Sequence, residues 1–137
     1  MTAKEYLKLY KDAVKAVDVL QAEYDEQMEQ IDSIRSSLGG DGLPRSGEVS
    51  KRVEDQAVKL AEKAGELLEA EERALAVRQE IFRTVRKVPG APGDVLRERY
   101  INLQKWEDVA LQVNYSVDHT FVLHREGLAI VEKLINP

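Results

Sequence analysis

The chain has 137 residues, a formal net charge of −5 and no cysteine. That length fits one ordinary domain or two small modules. Without cysteine there is no disulfide, thiol catalysis or cysteine-ligated zinc, and the acidic balance excludes a globally basic nucleic-acid binder but not a local basic patch. Charged residues at 33% and apolar residues at 43% read as a soluble, helix-rich protein. No apolar run approaches the roughly 20 residues of a membrane span, and Met1-Thr2-Ala3-Lys4-Glu5 has no apolar signal-peptide core.

The first element is a long helix over 2–38, a stretch free of Gly and Pro. Thr2-x-x-Glu5 is a capping box, in which each side chain satisfies an orphan N–H of the first turn. Tyr10, Val17, Tyr24, Ile31 and Leu38 recur every seven residues, flanked by Leu7, Val14 and Met28, with Gln21 interrupting. Such spacing makes one apolar stripe on one helix face. The Gly- and Pro-rich segment 39–47 then predicts a loop.

The second long helix is predicted over 48–88. Val53, Leu60, Leu67, Ala74, Ile81 and Val88 repeat without a gap, and Ala57, Ala64 and Val85 form a flank four residues on. A third row, Leu68, Leu75 and Phe82, widens the stripe. Two long helices joined by a short loop run antiparallel. A single hairpin does not cover the widened stripe, so Leu68, Leu75 and Phe82 are candidates for the interface of a homodimer or higher oligomer.

Pro89-Gly90-Ala91-Pro92-Gly93 predicts a break between an oligomerising hairpin, 1–88, and a small module, 94–137. Val95, Leu96, Tyr100 and Ile101 give a first helix an apolar face. Trp106, Val109, Ala110 and Val113 sit at i, i+3, i+4 and i+7 of a second. Asn114 tolerates the left-handed conformation of a tight turn, and Ser116 caps a third helix from Val117 to about Leu134. A small residue, Ala110, followed four positions later by Asn114, with apolar anchors on both helices, fits a helix-turn-helix. The expected fold class is all-α: a long antiparallel helical hairpin, coiled-coil-like, followed by a three-helix helix-turn-helix module.

Four runs carry a family resemblance: Leu96-Arg97-Glu98-Arg99-Tyr100-Ile101, Lys105-Trp106-Glu107-Asp108-Val109-Ala110, Asn114-Tyr115-Ser116 and Leu123-His124-Arg125-Glu126-Gly127-Leu128. This region resembles the end of phage regulators of the RinA/ArpU type, which are similar to region 4 of sigma-70 factors. The resemblance implies sequence-specific DNA binding, control of phage late genes and a cytoplasmic location in a bacterial host. Under a protein-interaction reading it also implies docking of the sigma-like module on RNA polymerase. Ser116, Val117, Phe121, Val122 and Arg125 then face the groove, while Arg97, Arg99 and Lys105 meet the backbone.

The recognition face departs from that pattern. Asp118 and Val122 stand where similar proteins tend to carry Arg or Lys, and residues 89–137 hold five basic and seven acidic side chains. DNA affinity rests largely on phosphate neutralisation, so this is a handicap. Asp118 also has a structural reason to be there, because an acid in the first turn of a helix is favoured by its dipole. Basic charge concentrates instead over 78–105, where Arg78, Arg83, Arg86, Lys87, Arg97, Arg99 and Lys105 face three acids.

No catalytic constellation emerges, and neither an enzyme activity nor a cofactor is expected. His119 and His124 are five residues apart, which is not a metal-binding i, i+4 pair. The glutamates of 62–80 pair with Lys59, Lys63 and Arg73 as a solvated face. The loop 39–47 lacks a phosphate-binding Gly-Lys-Ser/Thr motif. The readings are a dimeric DNA-binding regulator, a protein-interaction module with weak or no DNA binding, or a small terminase subunit.

Overall fold

The structure, a computed structural model, describes residues 1–38 and 46–137, and the side chains of 1–36 and 50–137. The described residues are all-α, with no strand among them. The elements are α1 (Ala3–Leu38), α2 (Ser46–Val85), α3 (Gly90–Leu96), α4 (Trp106–Val113) and α5 (Val117–Ile135). A π turn, Arg97–Ile101, continues α3. The predicted loop lies outside the described residues as far as residue 45, as does the side chain of Leu38. Among the described residues, no helix is long and apolar enough to cross a membrane. The capping box is present: Glu5 N–H donates to Thr2 Oγ1 at 3.2 Å, and Thr2 N–H donates to Glu5 Oε2 at 3.1 Å.

Contacts divide the chain into two compact units, at places other than the 89–93 boundary that composition suggests. One unit is Lys15–Glu72, the middle of the hairpin. The other joins Met1–Val14 to Arg73–Pro137.

In the hairpin unit, α1 turns inward Val17, Tyr24 and Ile31, the predicted central row. The predicted flank differs. Met28 is exposed, and Gln27 is buried in its place. With α2 as the only other helix in this unit, the covered stripe is narrow and one flanking row stays outside. On α2, Val53, Leu60 and Leu67 face inward as expected, but their flank lies three residues on, at Gln56, Lys63 and Ala70. Ala57 and Ala64 are exposed. The apolar count misled because long polar side chains can bury their stems and keep their heads paired. Here Gln27 donates to Gln56, and Lys63 pairs with Glu23 at 3.0 Å. Both pairs match an antiparallel register.

The second unit is the larger and holds the main core. Ala3 and Leu7 of α1, Ile81 and Val85 of α2, Val88, then Leu96, Tyr100, Ile101 and Val131 form one buried cluster. Leu7, Ile81, Leu96 and Val131 are fully buried, each contributing about 1.5–3 kcal/mol by removal from water. Tyr6 Oη and Thr84 Oγ1 share a hydrogen bond at 2.9 Å. Ala3 N–H donates to Glu132 Oε2 at 2.9 Å, tying the start of α1 to the end of α5. The small module is therefore not a separate body. Its helices α3 and α5 share a core with the start of α1 and the end of α2.

The predicted break at 89–93 is shorter than composition suggests, because α3 already begins at Gly90. Pro92 sits in the first helical turn, where a missing N–H costs nothing. Gly93 passes so close to the Val88 carbonyl that a Cβ would lie 2.1 Å from its oxygen.

Candidate nucleic-acid interface

The turn between α4 and α5 follows from three residues. Asn114 adopts the left-handed conformation, with φ 62° and ψ 41°. The Tyr115 N–H reaches back to the Ala110 carbonyl at 3.2 Å, closing the end of α4. Ser116 is extended and accepts from the His119 N–H at 3.1 Å, capping α5. Val95, Val109 and Leu123 are buried together beneath the two helices, with Ala91, Trp106 and Val113 packed against them. Gly127 lets α5 approach α3, since a Cβ there would lie 2.9–3.3 Å from the Leu96 side chain. Residue spacing alone located α4, the turn and α5 within one residue at each end.

The N-terminal half of α5 carries a free face. Ser116, Val117, Asp118, His119 and Arg125 are exposed, while Thr120, Leu123 and His124 turn inward. Phe121 and Val122, expected to point outward, are half-buried. The Phe121 ring meets Trp106 edge-on, with centroids 5.0 Å apart, because the indole lies beside α5 and offers it an aromatic partner. Around the turn, Leu111 (76% exposed), Tyr115 and Val117 form an uncovered apolar patch.

The predicted backbone-contacting cations divide into three kinds. Lys105 is exposed at the N-cap of α4. Arg97 is paired with Asp94 one turn earlier. Arg99 is half-buried, with its guanidinium 4.5 Å from the Trp106 ring and Nη1 donating to the Gln104 carbonyl at 2.9 Å. The π turn positions it. Asn102 N–H bonds to the Arg97 carbonyl five residues back, and Gln104 N–H to the Glu98 carbonyl. Leu103 follows with a positive φ of 54°.

Beneath Arg99 lies an aromatic group that spacing did not reveal. Tyr100 Oη and His124 Nε2 share a 2.7 Å hydrogen bond. The His124 ring stacks on Tyr100 and meets Trp106 edge-on at 4.7 Å. Burial, together with Lys4, Arg99 and Arg125, pushes the imidazole down to about 4, so it is neutral at pH 7. Burial likewise pushes the Tyr100 phenol up, opposed by Arg99.

Sequence reasoning also missed three lysines of α1. Lys4, Lys8 and Lys11, with Arg99, Tyr100, Leu103 and Trp106, line one recess of about 130 Å³. Their i, i+4, i+7 spacing was visible, but only the fold brings that face of α1 beside the π turn. The candidate dimer residues are mixed. Leu68 (57%) and Leu75 (56%) are exposed, whereas Phe82 is half-buried against the main core, with Arg86 over its ring. Comparison of the chain with known protein families, curated proteins and solved structures finds no match.

Proposed function

We propose that this chain is a DNA-binding regulator of the phage type it resembles, reading DNA through α4 and α5. The observation that carries this reading is the turn: a left-handed Asn114 between an eight-residue helix and a Ser116-capped helix whose first turn keeps Val117, Asp118 and His119 exposed. A helix-turn-helix meets the major groove with that part of its second helix. Arg125, Ser116 and Val117 face the groove, and Lys105 and Arg99 flank it. Phe121 acts mainly by holding α5 against Trp106, and Val122 is half-buried beside it in sequence. Two copies pair through α2, on which Ala57, Ala61, Ala64, Leu68 and Leu75 remain exposed.

The test is a titration against phage duplex DNA at several salt concentrations. Binding is expected to weaken as salt rises, with a shallow slope because few phosphates are neutralised. Arg125→Ala is expected to reduce site preference, and Lys105→Ala to weaken all sites alike. A chain that shows no duplex binding at low salt would sink the reading.

The patch of Leu111, Tyr115 and Val117 favours a second reading, a protein-interaction module whose partner is RNA polymerase or another phage protein. Under it, Leu111→Glu abolishes partner capture and leaves DNA affinity unchanged.

A further inference from the structure

The recess between the start of α1 and the π turn has an unusual lining. Lys4, Lys8, Lys11 and Arg99 supply four positive charges, and no carboxylate lines it. Among the described residues, none of these four cations is in an ion pair; the pairs found there belong to Lys63 and Arg97. Two acids of α1 neighbour these lysines in sequence: Glu5 is held by the capping box at Thr2, and Asp12 neither lines the recess nor pairs with any of the three. Apolar walls from Leu103 and Trp106 complete the concavity. Uncompensated like charges on one concave surface repel each other, and an anion placed among them relieves that repulsion.

We propose that this recess is a binding site for a chain of phosphate groups, such as an oligophosphate or a nucleic-acid strand. Two features set the ligand class. The lysine row spans roughly 10 Å along α1 at about 1.5 Å per residue, which is longer than one phosphate. Arg99 is anchored by the Gln104 carbonyl and the Trp106 ring, so its remaining donors form a fixed fork suited to phosphate oxygens. Lysines then act as point charges along the ligand. The site does not depend on α5 entering a groove, and it stands if the DNA reading fails.

Trp106 is the only tryptophan of the chain and lines the recess, so its fluorescence reports occupancy directly. Full-length protein is titrated at low salt with tripolyphosphate, ATP, and single- and double-stranded oligonucleotides. A saturable change in Trp106 emission, reversed by salt, is expected with at least one of them. Lys8→Gln should weaken the effect about fivefold, and the triple variant Lys4→Gln, Lys8→Gln, Lys11→Gln should remove it. The control Lys51→Gln, Lys59→Gln should match the wild type. Circular dichroism confirms that the triple variant remains helical. Saturation by tripolyphosphate or ATP, with no duplex binding, supports the site as one for free phosphates and removes the DNA reading alone. Saturation by oligonucleotides only supports a strand-binding site. An unchanged emission with all four ligands, or a response that survives in the folded triple variant, overturns the proposal.

Discussion

Gly93 is required by a neighbouring carbonyl oxygen. A methyl group there would meet the Val88 backbone, which cannot rotate away, so Gly93→Ala is expected to cost about 3 kcal/mol. At Gly127 the obstacle is the Leu96 side chain, which can turn, and Gly127→Ala should cost only about 1–2 kcal/mol. Urea unfolding followed by Trp106 emission measures both. Such effects were invisible in the sequence, because each is set by an approach between segments. His124 is a second residue-scale case. Its pKa falls from 6.5 in the unfolded chain to about 4 in the fold, so the unfolded chain binds more protons between those values. Stability is therefore complete above about pH 6.5 and falls as pH drops toward 4, by up to about 3 kcal/mol. His124→Gln, which keeps a partner for Tyr100, should flatten that part of the profile. A profile of unchanged slope would place the acid sensitivity elsewhere.

At the scale of elements, the best-read parts were those governed by local chemistry. Asn114 and Ser116 announce a turn because their own side chains and backbone preferences make it, whatever surrounds them. Asn114→Val should cost about 1–2 kcal/mol in the same unfolding measurement, and Asn114→Gly should be tolerated. Heptad spacing also revealed the long pair and the central rows of α1 and α2. It failed at the flanks, where Gln56 and Lys63 rather than Ala57 and Ala64 turn inward. An alanine carries little apolar area, so its position decides little when a longer side chain can cover the same surface. The π turn had no signature in residue type. It brings Tyr100 and Ile101, adjacent in sequence, both into the core and leaves Arg99 beside Trp106. Much of the candidate site depends on that local widening, and so the lysines of α1 were passed over.

At the scale of the whole molecule, the exposed row on α2 makes a testable demand. If two copies pair through Leu68 and Leu75, wild-type protein at micromolar concentration should scatter light as a dimer. The Leu68→Glu, Leu75→Glu variant should then be a monomer with unchanged helicity, because neither side chain is buried in a single chain. A monomeric wild type would remove the dimer from the proposed function but leave the α4–α5 turn untouched. A mass of many subunits would point instead to a terminase-like ring.

The larger unit is built from both ends of the chain, and this fixes an order of events during synthesis. The hairpin arms are contiguous and can pair as soon as Glu72 has emerged. Ala3 and Leu7 can meet Ile81 and Val85 soon afterwards, but their cluster is complete only with Val131, and the Ala3 amide bonds to a side chain 129 residues away. At a translation rate of about 5–20 residues per second, that wait lasts roughly 6 to 26 seconds. Throughout it, the apolar face of the first turns of α1 lacks the cover that Val131 completes.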